Sequence, residues 1–423
     1  MLAFDVDRVR KQFPALGGRN GRQPIFLDNP GGTQVPTVVV EAMTDSLLSA
    51  NANLGGAFRT SRAVGETVAK AHEAMAAFLN ARDPREVIFG QNMTTLTLQI
   101  SRSIGRTLAP GDEVIVTRMD HDANVAPWQL LARDHDLTVK YLPFDLEGYE
   151  FELSALETLL SERTRLLCIG HASNLTGTIN DVRAMTELAH AAGALVYVDS
   201  VQYAPHGIID VQALGCDFLV CSPYKFFGPH MGVLWGRGEL LMQLEPYKVR
   251  PAKDGLPDRF ETGTLNHEGM AGVAATVGYL EWVGRELADE SYRTRHQGLD
   301  PRQQYLRAAM DAMIDYEMPL TRRLIDGLMA IDGVKIHGIT NPNAMGRRVP
   351  TVSFTAEGHR PRDIAEALAD REIYVWDGHN YALEPVRALG LLEAGGVLRI
   401  GLAHYNTLEE VEQTLDALQS CLA

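Results

Sequence analysis

The chain has 423 residues, 45% hydrophobic and 22% charged, enough for a large core and two domains. With 54 acidic against 39 basic residues its formal net charge is −15, which argues against the basic footprint that nucleic-acid binding needs. No apolar stretch reaches membrane length and no basic segment followed by an apolar run opens the chain. The four cysteines (Cys168, Cys216, Cys221, Cys421) lack CxxC or metal-finger spacing, so buried thiols in a reducing, cytoplasmic protein are expected.

Short β-rich runs alternate with helical patterns along the first two-thirds. The pattern predicts strands at 87–90, 113–117, 138–143, 165–171, 194–199, 217–221 and 232–236, with helices at 61–80, 95–108, 123–134 and 182–192 between them. Such alternation implies an α/β fold with a mostly parallel seven-stranded sheet, covered by helices on both faces. From about Ala271 the text changes to long helices, 271–288 and 301–331, then strands at 348–355, 373–376 and 396–401 and a final helix. This predicts a large domain over 26–270 and a smaller α+β C-terminal domain over 271–423, joined by residues 1–25.

Side chains able to do chemistry follow the strands, where open parallel sheets gather their ligands. Thr94 and Thr95 open a helix; their hydroxyls and free N–H groups suit a phosphate, or simply cap the helix. His121 could stack on a flat ring or be a loop residue. Asn174 could bond a ring hydroxyl and a substrate carboxylate, or make an Asx-turn. Asp199 ends an apolar strand, as the partner of a ring nitrogen or as a cap. Three residues after Ser222 comes Lys225, and a lone ammonium at a buried strand end is costly unless neutralised, paired or covalently used. A lysine able to form a Schiff base plus an aspartate able to hold a pyridinium nitrogen is what pyridoxal phosphate (PLP) chemistry requires. The rival for Ser222-x-x-Lys225 is a serine nucleophile of the penicillin-binding type, but neither accompanying SDN-like nor KTG-like tripeptide occurs.

Together these residues resemble the class V aminotransferase family of fold-type I PLP enzymes, most closely its cysteine desulfurase-like branch. The likeness runs through Phe26-Leu27-Asp28-Asn29, the segment from Met119 to Trp128, Ser173 to Thr178, Val198 to Gln202, Ser222 to Gly228, Arg259 to Thr264, and Leu398-Arg399-Ile400-Gly401. The resemblance implies PLP as cofactor, Lys225 as its covalent lysine and general acid/base, Asp199 at the ring nitrogen, Gln202 at the ring oxygen and His121 as the stacking imidazole. It implies a phosphate cradle of Thr94, Thr95 and Ser222. Gly263 and Thr264 would reach the neighbouring subunit's phosphate, hence a homodimer with the active site at the subunit interface. Arg399 would grip the substrate α-carboxylate, with Asn29, Asn174 and Tyr381 beside the substrate.

Departures from the branch set the expected reaction. Where desulfurases carry a cysteine after Gly-His, this chain reads Gly378-His379-Asn380-Tyr381, and a phenol cannot hold a persulfide. Trp376 stands where many relatives have a second arginine, Tyr224 replaces the His before the lysine, and Gly55-Gly56 replace His-Arg. The expectation is a PLP-dependent β-eliminating C–S lyase acting on a cysteine-derived amino acid. Aminotransferase, amino-acid epimerase and true cysteine desulfurase are the alternatives, in that order.

Overall fold

A computed structural model describes residues 4–18 and 23–422. After the short β1 (Ile25–Phe26), seven strands alternate with helices: β2 (Val87–Gly90), β3 (Glu113–Thr117), β4 (Thr138–Leu142), β5 (Thr164–Gly170), β6 (Leu195–Asp199), β7 (Phe218–Cys221) and β8 (Gly232–Gly236). Their order is β2-β8-β7-β6-β5-β3-β4, parallel throughout except β8, which pairs antiparallel with both β2 and β7. Apart from the half-exposed edge strand β4, which carries Lys140, the strands are near-continuous apolar runs because helices cover both faces. On one face lie Val87, Phe89, Ile115, Leu167, Ile169, Val196, Val198 and Leu219, and on the other Ile88, Val114, Val116, Leu166, Tyr197, Phe218 and Val220.

A second, antiparallel sheet has the order β12-β13-β10-β9, from β9 (Val334–His337), β10 (Thr351–Ala356), β12 (Trp376–Gly378) and β13 (Val397–Gly401). The expected strand at 373–376 is two strands. β11 (Ile373–Tyr374) pairs parallel with β1, whereas Trp376 onward pairs antiparallel with β13, so the chain changes sheets at Val375. Strand β9 has no counterpart in the expected pattern. Residue 271 falls inside the helix His267–Glu286, whose Met270, Val273, Val277 and Leu280 pack into the large sheet's core. The helix Pro301–Met329 serves both cores: Leu306, Met310 and Met313 face the large one, Leu324, Ile325 and Leu328 the small one. Near the start, Val9, Phe13 and Leu16 also enter the large core, and Arg10 bonds Glu410 at 2.8 Å. No helix among the described residues is long and apolar enough to cross a membrane.

Candidate active site

Because β8 runs antiparallel between β2 and β7, the strands β2, β3, β5, β6 and β7 all end on one edge, and the site is built there. After β7, Pro223–Lys225 forms one tight turn. Phe226 and Phe227 follow, both fully buried, the first stacked on Phe78 at 4.9 Å and the second edge-on to His404 at 4.5 Å. These two anchors fix the backbone of Lys225, whose Nζ donates to the Pro30 carbonyl and lies 4.9 Å from the Tyr224 ring centroid. Burial, helped by the Arg399 charge, pushes the Lys225 amine down to about 7, against the opposing pull of Asp199 and Asp28.

Asp199 ends β6, with its Oδ1 accepting the Val201 N–H at 2.9 Å. Burial raises its pKa to about 6, opposed by that hydrogen bond and by Lys225. Across β5 sits a second buried carboxylate, Asp120, which accepts the Gly170 N–H and the Asn124 amide, both at 2.8 Å. Gly170 is the register partner of Asp199, and a β-carbon on it would lie 2.6 Å from Asp120 Oδ1. The glycine thus admits a carboxylate that ties the His121 turn to the Asp199 edge. Burial, then repulsion from Asp199, raises Asp120 to about 7.

His121 follows Asp120, and its Nδ1 accepts the Ala123 N–H at 3.0 Å, which leaves the proton of the neutral ring on Nε2. Burial, with the Lys225 and Arg399 charges, pushes its pKa to about 3, so the ring is neutral. The phenol of Tyr381 stacks on this imidazole with centroids 5.5 Å apart and planes 14° from parallel. Asn174 donates to the Asn380 carbonyl at 2.8 Å, and Arg399 Nη1 donates to the Asn174 carbonyl at 2.8 Å. Gln202 is buried and donates to Thr351 Oγ1 at 2.9 Å, which leaves its second amide hydrogen for another acceptor.

Asn29 behaves differently from the expected substrate contact. Its amide donates to Phe26 O, Gly401 O and Asn406 Oδ1, and its oxygen accepts from Tyr405, so the side chain knits the β1 turn to β13. The free oxygen of that turn belongs to its neighbour Asp28, raised to about 6 by burial and pulled back by Arg399 and Lys225. Neither Asp28 nor Asp120 was singled out from the sequence. The available signal was an acid flanking a chemistry-bearing residue at a strand end, inside motifs already quoted.

At the phosphate end, the helix Met93–Gly105 starts beside β2 and is capped by Asn92, which accepts from both Thr95 N and Thr95 Oγ1 at 2.8 Å. Thr94 and Thr95 are exposed there, while Ser222 Oγ is buried at the end of β7. Gly263 and Thr264 stand apart in this single chain. They line a groove of about 770 Å³ with His72, Glu261 and Lys253, a groove that includes none of Lys225, Asp199 or Arg399.

Four buried polar atoms around Lys225 lack partners in the protein: Ser222 Oγ, Asn174 Oδ1, Arg399 Nε and Asp28 Oδ1. Orphans of this kind call for a ligand or water. A hydroxyl, an amide oxygen and a guanidinium N–H beside a depressed lysine and a buried carboxylate fit a phosphorylated pyridine aldehyde and an amino acid. Among the described residues no cluster of three or more His, Cys, Asp or Glu could hold a metal.

The aminotransferase class-V family model matches residues 25–302 and 296–414. This chain belongs to the class V aminotransferase family. It is therefore a PLP-dependent enzyme of the fold-type I class that acts on amino acids. The class V chain is 34% identical to the "Aminotransferase-like protein FGM3" of Gibberella zeae, over 99% of both sequences. It is 31% identical to a cysteine desulfurase of Serratia proteamaculans, covering 99% of this chain and 98% of the relative. Among solved structures it resembles the apo cysteine desulfurase of Thermococcus onnurineus NA1 with a TM-score of 0.86, 28% identity and 98% coverage of both chains. The Escherichia coli cysteine desulfurase CsdA resembles it at 0.82, with 28% identity and 99% coverage of both.

Proposed function

We propose that this enzyme is a β-eliminating C–S lyase acting on a cysteine-derived amino acid. The supporting observation is a site that keeps its lysine, aspartate and arginine but has no exposed thiol beside them. Cys168, Cys216 and Cys221 are buried on strands or beside them with pKa values raised by burial, and Cys421 lies on the terminal helix Leu408–Leu422. Where a sulfur acceptor would be expected stands Tyr381, exposed at 68%.

In this reading Arg399 takes the substrate α-carboxylate through its fork, with Asn174 beside it. Ser222, Thr94 and Thr95 hold the phosphate, Asp199 holds the proton on the ring nitrogen, and Gln202 and His121 fix the ring's oxygen and face. PLP, when bound, supplies an electron sink that acidifies the Cα hydrogen. Lys225, with an amine near 7, is neutral often enough at physiological pH to take that proton at Cα. The Cβ–S bond then breaks with its electron pair leaving on sulfur. A thiolate, with a parent pKa of about 8.5, departs without a strong acid to protonate it. The three-carbon enamine that remains hydrolyses to pyruvate and ammonia. Gly263 and Thr264, exposed beside their groove, are offered to the phosphate of a second subunit, which makes a cytoplasmic homodimer the working assembly.

Transamination is the second reading, favoured by the name of the relative at 34% identity. Product analysis of PLP-loaded protein given L-cysteine, S-substituted cysteines and their sulfoxides separates the two. Pyruvate with a released sulfur fragment supports the lyase. Conversion of the cofactor to its pyridoxamine form without pyruvate moves the assignment to an aminotransferase. Alanine with protein-bound sulfur, at rates far above pyruvate, would sink the lyase.

A further inference from the structure

Two large aromatic side chains stand open at the edge of the site, Trp376 at 47% exposure and Tyr381 at 68%. Trp376 opens β12 and is the direct cross-strand partner of Arg399 on β13. Opposite residues of an antiparallel pair share a face with their β-carbons about 5 Å apart. The indole therefore stands beside the guanidinium. Its other edge covers the turn that carries Pro30: a β-carbon on Gly31 would lie 2.0 Å from Trp376 Nε1, so glycine is required for the indole to settle there. The neighbouring Pro30 carbonyl accepts from Lys225, so the indole rests on the same turn that holds the reacting amine.

Tyr381 closes the site from the other side, stacked on His121. Its loop is fastened at two points, by Asp122 N–H to the Tyr381 carbonyl at 2.7 Å and by the Asn174 amide to the Asn380 carbonyl at 2.8 Å. Positive φ at Gly378 (97°), Asn380 (52°) and Tyr381 (55°) makes the tight turn that presents the phenol to the imidazole. Phe58, another exposed aromatic, folds back over Gly56 of its own loop instead. Nearby cations already have carboxylate partners: Arg362 pairs with Asp377 at 3.2 Å, Arg118 and Arg387 share Glu384 at 2.5 Å, and the Asp122 carboxylate also acts on Arg387. An anionic substrate side chain entering here would lose its water without gaining a counter-ion.

We propose that Trp376 and Tyr381 are specificity-determining walls that select an amino acid whose side chain beyond Cβ is apolar. For the lyase this means a cysteine S-substituted with an alkyl or aryl group rather than one bearing an acid. The inference rests on Arg399 taking the α-carboxylate, and it is tested without turnover. Isothermal titration of the PLP-loaded enzyme with propanoate, 3-phenylpropanoate and succinate uses acids that have no amine and cannot react. The phenyl acid is expected to bind about tenfold or more tighter than propanoate, and succinate no tighter than propanoate. Trp376→Ala and Tyr381→Ala should each weaken 3-phenylpropanoate severalfold more than they weaken propanoate, and Trp376→Arg should turn the preference toward succinate. Tyr381 is on an exposed loop, so its variant remains a test even if Trp376 variants misfold. Succinate binding as tightly as 3-phenylpropanoate, or a phenyl preference that survives both truncations, would overturn the proposal. Failure of all three acids to bind would remove its carboxylate premise and the proposal with it. A phenyl preference without pyruvate formation from S-substituted cysteines would leave the pocket standing and discard the lyase.

Discussion

Gly170→Ala isolates the buried joint between the His121 turn and Asp199. The new methyl would sit 2.6 Å from Asp120 Oδ1 and 3.7 Å from the Ala172 carbonyl. The first distance is far inside contact, and the carboxylate cannot retreat freely because it holds Gly170 N–H and Asn124 Nδ2 at 2.8 Å. Displacing it weakens a hydrogen bond to a buried carboxylate, worth about 1.5–3 kcal/mol, and adds an overpacking penalty of about 1–3 kcal/mol. A loss of roughly 3–5 kcal/mol is expected in urea unfolding of the cofactor-free protein, together with weaker PLP binding because Asp199 is the register partner of residue 170. Gly278→Ala is the control. It lies inside the helix His267–Glu286 with nothing within 4 Å of where its new methyl would sit, so the same change should stabilise by about 0.5–1 kcal/mol. Equal effects of the two substitutions, or a Gly170→Ala protein as stable as wild type, would refute the steric argument.

Asp199→Asn keeps shape but removes the charge from the ring-nitrogen contact, and PLP titration should show affinity lower by roughly 10–150-fold, the equivalent of about 1.5–3 kcal/mol; unchanged affinity would dismiss the contact. Asp28 has its pKa raised to about 6 by burial. Its contribution to stability is fully present below the unfolded value of about 3.9 and is lost as pH rises through about 6. Urea midpoints of the cofactor-free protein should therefore shift in favour of Asp28→Asn, relative to wild type, as pH rises from about 4 to about 6, and hold level above that; a difference independent of pH contradicts the assigned burial. Cys421→Ser should leave pyruvate formation from S-substituted cysteines intact, because the site uses no thiol. Abolished turnover in that variant would restore sulfur-carrier chemistry to consideration.

Much of the architecture was legible because local pattern and tertiary role coincide. Six of the seven strands of the large sheet, all but the half-exposed edge strand β4, are near-continuous apolar runs, readable in one dimension since both faces are buried. Lys225, Asp199, His121, Asn174 and Ser222 were visible for a related reason: a polar residue that ends an apolar strand marks the carboxyl edge of a parallel sheet. The division of 373–378 into strands of two different sheets was not legible, since only pairing with β1 or β13 distinguishes them. The roles within Asp28-Asn29 were also hidden. Both residues are short and polar, and the fold decides that Asn29 meets Phe26, Gly401 and Asn406 while Asp28 keeps an oxygen free toward Lys225 and Arg399. Likewise, a sequence shows that Trp376 and Tyr381 are aromatic, but not that one faces Arg399 and the other His121. By itself, then, the sequence determined the layered α/β fold and the chemical types at its strand ends, because hydrophobic periodicity and strand termini are local properties. The tertiary structure alone decided which of those groups have unmet bonds, how burial shifts their proton affinities and what surrounds the substrate, because these depend on residues far apart in the chain.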